Sequence, residues 1–273
     1  MKTTTATVFM LLALAPGLSA QRQVAMTAPS SPAAVAAVPF GPGERLVYDV
    51  NAGWLGKRGS AWSEVTGVET VRGRQTYQLN FRVRGGMFGA NIDDRQASWL
   101  DVGQLYSHRF FQDLDQPRYQ RVRTIDFFPG DGVWRQKLCA PQNTCTDKKQ
   151  ESGALATNLP LDDVSFMFWA RTLPLEVGRR YEFNRYYKDE GNPVVIEVLR
   201  RERVTVPFGT FNTIVVRPLI RTKGLFGEGG EAEIYFTDDE RRLIVLLKTS
   251  MPLIGKLEMK LQSYTPGSPL GVR

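Results

Sequence analysis

Three acidic pairs carry the residue types most ready to do chemistry: Asp93-Asp94, Asp162-Asp163 and Asp238-Asp239. Two carboxylates facing each other across a cleft can hydrolyse a glycosidic bond, and clustered oxygens can hold Ca²⁺. Neighbours on a strand point to opposite faces, however. Each pair also has a structural use, the first and third in turns and the second as a helix N-cap. His108 is the only imidazole and lies in Tyr106-Ser107-His108-Arg109-Phe110-Phe111. A general base there needs an orienting carboxylate and a nearby nucleophile, and the local sequence shows neither. One His and two Cys argue against a His/Cys zinc site, an iron–sulfur cluster and most His-dependent triads. The residues predict no catalytic group, no metal and no cofactor.

Cys139 and Cys145 flank five residues in Leu138-Cys-Ala-Pro-Gln-Asn-Thr-Cys145. In an oxidising compartment this spacing predicts a disulfide across a hairpin end, and it is wrong for a redox-active Cys-x-x-Cys. Gly85-Gly86-Met87-Phe88-Gly89 and Gly224-Leu225-Phe226-Gly227-Glu228-Gly229-Gly230 are glycine-rich but lack the Gly-Lys-Ser/Thr ending of a phosphate loop. They read as hairpin connections with a Phe near the tip. Plain turn packing is one use for Phe88 and Phe226. Guarding the mouth of a ligand cavity, or touching a membrane, is the other.

The elements that must position these groups are almost all strands. Short runs of β-branched and aromatic residues, separated by Gly, Pro, Asn or Asp, recur from Arg45–Asn51 through Gly132–Leu138 and again from Arg180–Lys188 through Ile254–Tyr264. They predict an all-β, mainly antiparallel fold, either a strongly curved sheet or a barrel-like pair of half-sheets. One helix interrupts them near 162–173, capped by Asp162 or Asp163 and ended by Pro174. Phe166, Phe168 and Trp169 help make it apolar nearly all round, as buried helices are. It is expected to pack against or plug the concave face, with these three residues bordering a cavity. Co-linear similarities at a nearly constant offset, such as Gly43–Tyr48 with Gly178–Phe183, suggest half-repeats 43–138 and 178–264 joined by the helix.

The ends of the chain read differently. Lys2, the apolar run Val8–Ala15 and the small residues before Ala20 predict a cleavable signal peptide at 1–20, cut after Ala20. That run is far shorter than the ~20 residues a membrane span needs, and no other stretch is long enough. Residues 21–39, rich in Ala, Pro and Ser, predict a flexible leader, and 266–273 a disordered tail. A single β-rich domain covers 40–265. The formal charge of +7 falls to +6 once Lys2 is removed with the signal. Arginines alternating with apolar residues, as in Phe81-Arg82-Val83-Arg84 and Arg121-Val122-Arg123, predict a solvated basic sheet face or a surface for anionic lipid or polymer. No nucleic-acid-binding motif is recognisable.

The chain resembles the exported bacterial proteins grouped as the domain of unknown function 3108 family. The resemblance rests on Gly43-Glu44-Arg45-Leu46-Val47-Tyr48 and on Asp163-Val164-Ser165-Phe166-Met167-Phe168-Trp169-Ala170-Arg171. It continues in Val206-Pro207-Phe208-Gly209-Thr210-Phe211 and in Tyr235-Phe236-Thr237-Asp238-Asp239-Glu240-Arg241-Arg242. It implies an envelope location and a β-rich fold, and it transfers no catalytic residue. Together these readings predict a non-enzymatic periplasmic protein that binds a lipid-like or amphipathic ligand in a concave sheet. The alternatives are a structural module of an envelope complex, binding a protein partner around a filled core, and an acid-residue hydrolase.

Overall fold

The computed structural model describes residues 37–87, 90–117, 119–139, 149–220, 232–251 and 255–271. Eight strands come first: β1 (Arg45–Ala52), β2 (Lys57–Val71), β3 (Arg74–Met87), β4 (Ala90–Asp101), β5 (Ser107–Gln116), β6 (Tyr119–Phe128), β7 (Val133–Cys139) and β8 (Lys149–Ala154). A helix, α1 (Asp163–Ala170), separates them from β9 (Arg180–Phe183), β10 (Val194–Val206), β11 (Gly209–Leu219), β12 (Glu233–Thr237), β13 (Ile244–Met251) and β14 (Gly255–Thr265). The alternation in β1 shows why these are strands. Leu46, Tyr48, Val50 and Ala52 are buried on one face, and the residues between them face outward.

All fourteen strands join one antiparallel sheet in the order β8-β7-β6-β5-β4-β3-β2-β1-β14-β13-β12-β11-β10-β9. Two meanders therefore meet at a β1–β14 seam, where Val50 lies opposite Met259. The outer strands β8 and β9 do not pair, and the sheet stays open. The segment between them crosses the gap: Ala156 N–H donates to Tyr187 O at 3.1 Å, Ser107 N–H to Pro160 O at 2.7 Å, and Leu161 N–H to Arg185 O at 2.7 Å.

The meanders match in local detail. Gly43 N–H donates to Val65 O and Val65 N–H to Glu44 O; Gly178 and Val198, with Arg179, repeat both bonds. Thr66 is the extra residue of a bulge on β2, and Leu199 takes that role on β10. His108 on β5 and Val245 on β13 are likewise extra residues opposite β4 and β12.

The helix lies on the inner face against β3 and β4. Asp162 accepts from Val164 N–H and Ser165 N–H, and Ser165 Oγ accepts from Asp162 N–H, which closes a capping box. Every residue from Val164 to Ala170 is buried. The helix plugs the concavity, as its composition predicts. It is shorter than expected: Arg171–Leu173 form turns.

Three expectations need correction. Asp93-Asp94 lies within β4, not in a turn, because Asp93 is held by Arg82 on the neighbouring strand, with Arg82 Nη2 to Asp93 Oδ2 at 2.6 Å. The sequence reading also passes over β8, whose Lys-Gln-Glu-Ser-Gly-Ala has no apolar alternation. Residues 266–271 are no disordered tail. Ser268 N–H donates to Pro42 O at 2.9 Å, and Leu270 packs against the core. Gly267 and Gly41 let the two backbones touch, since a Cβ on either would overlap the other segment. Within the expected leader, Val38 likewise packs against the core and Pro39 O accepts from Arg171 Nη2 at 3.1 Å, ahead of the buried Phe40.

Candidate functional site

The inner faces of the two meanders differ in chemistry. In the second, Ile196, Val198, Ile214, Ile234, Leu247 and Met259 make it apolar. In the first, β4 to β8 present Gln96, Gln112, Arg121, Arg123, Gln136 and Glu151 to the same interior, as the strand registers place them. Ile125 and Phe127, both fully buried, decide the parity of β6. Because side chains alternate, Arg121 and Arg123 must point inward with them. The expectation of a solvated basic face for Arg121-Val122-Arg123 holds in part: both arginines are half-exposed and Val122 is buried, but the face they share is the inner one. On β3 that expectation holds, with Phe81 buried and Arg84 exposed.

Gln112, only 4% exposed, holds both arginines. Its Oε1 accepts from Arg121 Nη2 at 2.7 Å and from Arg123 Nε at 3.0 Å. Arg123 Nη1 also donates to Gln136 Oε1 at 3.3 Å, and Gln136 Nε2 to Glu151 Oε2 at 3.2 Å. Arg123 lies over the Phe110 ring at 5.7 Å, and Arg121 over Tyr119 at 5.6 Å. Among the described residues neither guanidinium forms an ion pair, and the buried Arg121 Nε has no hydrogen-bond partner. Burial, and then the charge of Arg123, lowers the Arg121 pKa. Asp163, the first residue of α1, is the carboxyl on which these charges act. Burial raises its pKa, and Arg123 and Arg121 draw it back.

The interior opens at one end. There Val83, Ile92, Asp94, Gln96 and Leu257 are half-exposed, whereas Phe81, Ser98 and Met259, farther along the same strand faces, are buried. A cleft of about 900 Å³ lies at the same rim, bordered by Lys57, Arg58, Arg84, Ile92 and Asp93. The strand ends flanking 88–89 and those flanking 220–232 both lie at this end of the sheet. Phe88 and Phe226 themselves lie outside the described residues.

The helix side is packed solid. Phe168 meets Phe40 edge-on at 5.1 Å, Trp169 meets Phe183 at 4.8 Å, and Phe166 lies 6.1 Å from Trp169. The void beside Phe168 and Met167 is about 10 Å³, room for at most one water. Phe166, Phe168 and Trp169 are thus buried and packed against neighbouring rings.

The remaining candidates are structural. Asp162 caps the helix, and Ser98 Oγ donates to its Oδ2 at 2.6 Å. Asp238 pairs with Arg201, and Asp239 accepts from Arg241 and Arg242 backbone N–H groups in the β12–β13 turn, as expected. His108 does have an orienting carboxylate, which the sequence reading missed: its Nε2 lies 3.1 Å from Asp101 Oδ2. A bulge and a tight turn bring them together. Asp101 also accepts from Arg74 Nε and Nη2 and from the N–H groups of Gly103 and Gln104. With its acceptor sites taken and His108 only 4% exposed, the dyad clamps the β4–β5 turn and faces no substrate. Cys139 ends β7 and is buried; Cys145 lies outside the described residues. Among the described residues, no three His, Cys, Asp or Glu side chains converge as a metal site. No described helix is long and apolar enough to cross a membrane.

A family model described as "Protein of unknown function (DUF3108)" matches residues 47–262. The chain belongs to the DUF3108 family. Among solved structures, this DUF3108 chain is similar to a β-barrel-like protein of domain of unknown function DUF1849 from Brucella abortus. The two are 11% identical with a TM-score of 0.51, over 83% of this chain and 98% of that one. At this identity the likeness speaks to the fold alone. A candidate exported protein with a YmcC-like fold from Bacteroides fragilis matches at 11% identity and a TM-score of 0.36, over 85% and 99% of the two chains. A candidate lipoprotein from Parabacteroides distasonis matches at 13% identity and 0.35, over 84% and 98%. None of the curated proteins matches this chain.

Proposed function

We propose that this DUF3108 protein is exported to the periplasm and there binds an amphipathic or lipid-like ligand, without catalysis, on the concave face of its sheet. One observation carries the reading: on the inner side of one open sheet, the second meander is apolar and the first carries a polar strip. An amphipathic molecule has the same division. The signal-like residues 1–20 support the location, and the ends of β3, β4, β11 and β12, which share one end of the sheet, support reading Phe88 and Phe226 as entrance residues.

Native mass spectrometry of the protein, purified from its own periplasm without detergent, tests this. Heterogeneous extra mass that organic solvent removes is the expected result. A clean mass for a chain starting at Gln21 would overturn it. Exchanging Phe88 and Phe226 for Ser should lower ligand loading, and unchanged loading would remove them from the entrance. A second reading, a module of an envelope complex, draws on the unpaired edges β8 and β9 and the solid helix side. It predicts a clean mass together with a crosslinked protein partner.

A further inference from the structure

We infer that Arg121 and Arg123 form an anion site inside the sheet, which takes the phosphate or carboxylate headgroup of the bound ligand. This rests on reading the concave face as a ligand site. An arginine turned into a sheet interior loses solvation and is normally compensated by a carboxylate. Among the described residues these two donate hydrogen bonds only to the neutral oxygens of Gln112 and Gln136, with Gln112 Oε1 shared between them at 2.7 and 3.0 Å. A shared neutral acceptor holds the two forks side by side and leaves their net charge in place.

The fold does not require arginine there. β14 is the sixth strand of its meander as β6 is of the first, and it turns Leu257, Met259 and Leu261 inward. Apolar residues serve that position well, so the charges on β6 answer a different need. The groups facing the pair are Asp163 from the helix, Glu151 from β8, and Tyr186 and Tyr187 from the connection after β9. Glu151 is engaged by Gln136 at 3.2 Å, and burial favours the neutral form of Asp163. Two planar guanidinium forks suit an oxyanion with several acceptor oxygens, which each can bind through two N–H groups.

Binding to the full mature protein, stripped of any endogenous ligand, is the test. The probes are dodecyl phosphate, dodecyltrimethylammonium, dodecanol and inorganic phosphate, each below its micelle concentration where that applies. Dodecyl phosphate is expected to bind tighter than dodecanol, and the cationic amphiphile weakest. Arg121→Met with Arg123→Met should weaken dodecyl phosphate about 10–100-fold, the usual size of lost charge-assisted hydrogen bonds, and leave dodecanol unchanged. Arg179→Gln with Arg203→Gln removes the same charge from exposed positions and should change neither. If the Met pair misfolds, Gln112→Leu, which frees the forks from their shared acceptor, should change dodecyl phosphate affinity and spare dodecanol.

The outcomes separate. Equal binding of dodecyl phosphate and dodecanol, indifferent to both inner variants, overturns the anion site and leaves the lipid reading standing. Arginine-dependent binding of inorganic phosphate as tight as that of dodecyl phosphate assigns the site to a free anion and overturns the headgroup. Absence of binding by every amphiphile overturns the concave ligand site itself.

Discussion

Glu44 and Arg171 stand 127 residues apart and form a doubly bonded ion pair in the core, with Nη1 to Oε1 at 2.5 Å and Nη2 to Oε2 at 3.1 Å. Their exposures are 1% and 4%. Arg171 Nη2 also donates to Pro39 O and Arg241 O, and its guanidinium lies over Phe40 and Phe168. Three of the segments that carry the DUF3108 resemblance, around Glu44, Arg171 and Arg241, thus converge on one pair. The pair fastens the end of the helix to the start of β1 and to the β12–β13 turn. In this chain these segments meet for architecture.

Removing one partner strands the other as a buried charge. Glu44→Gln or Arg171→Met should each cost about 3–5 kcal/mol in urea unfolding. The double variant Glu44→Leu/Arg171→Met should recover most of that loss. Additive losses would show that the two residues act separately.

Asp162 and Asp101 give stability an optimum in mild acid. Burial raises the Asp162 pKa to about 6, against the bonds from Ser165 and Ser98 that lower it. Between roughly pH 4 and 6 the folded state therefore holds more protons than the unfolded chain, and stability falls as pH rises across that window. Asp162→Asn keeps the cap and should flatten this slope, as unfolding curves collected every half pH unit would show.

At the acid end the sign reverses. Burial works against the Asp101 carboxylate, but bonds from His108, Arg74 and Gln104 outweigh it and hold its pKa below the usual carboxylate range. Its contribution is complete above the unfolded value near ~4 and is lost as pH falls below it. Asp101→Asn should be less stable than the native chain at pH 6 and should converge with it toward pH 2.

The residues at 266–271 are held by backbone closeness that only glycine permits. Gly267→Ala should destabilise by about 1–3 kcal/mol, because the new Cβ meets the Gly41 carbonyl. Gly271→Ala, with nothing within 4 Å of its Cβ position, should stay within about 0.5 kcal/mol. Equal effects at both positions would mean the segment is held by something else.

Cys139 and Cys145 should form a bridge when the protein is made in an oxidising compartment, read as a mass two hydrogens below the reduced chain. Exchanging both for Ser should lower stability by about 2 kcal/mol, the loop-closure value for so short a ring. A chain that takes up two alkylating groups without reductant would refute the bridge.

The strand-rich class, the buried helix and its Asp162 cap were legible because they depend on local pattern: alternation along β1, an apolar circumference, an acid before a helix start. The inward arginines were not. Arg82-Val83-Arg84 and Arg121-Val122-Arg123 have the same spacing, and which face they occupy depends on the parity set by Phe81 in one strand and by Ile125 and Phe127 in the other. His108 and Asp101 meet through a bulge, which breaks the alternation a strand reading assumes. Glu44 and Arg171 meet through tertiary packing, for which one sequence carries no local signal. The helix aromatics were rightly read as buried, because an apolar circumference is itself a local pattern.

The seam between β1 and β14 dictates the order of assembly. Each meander is built from neighbours in sequence, so its hairpins can form as soon as they emerge, at little cost in loop closure. Their joining must wait for the last strand, which comes to lie beside the first in the middle of the sheet. A chain stopped before β14 would carry two half-built sheets, each with a raw inner edge, β1 and β13, open to partners of the wrong kind. For a polypeptide that emerges amino end first, the central joint closes last, and the exposure of those edges sets how long the half-built sheets need protection.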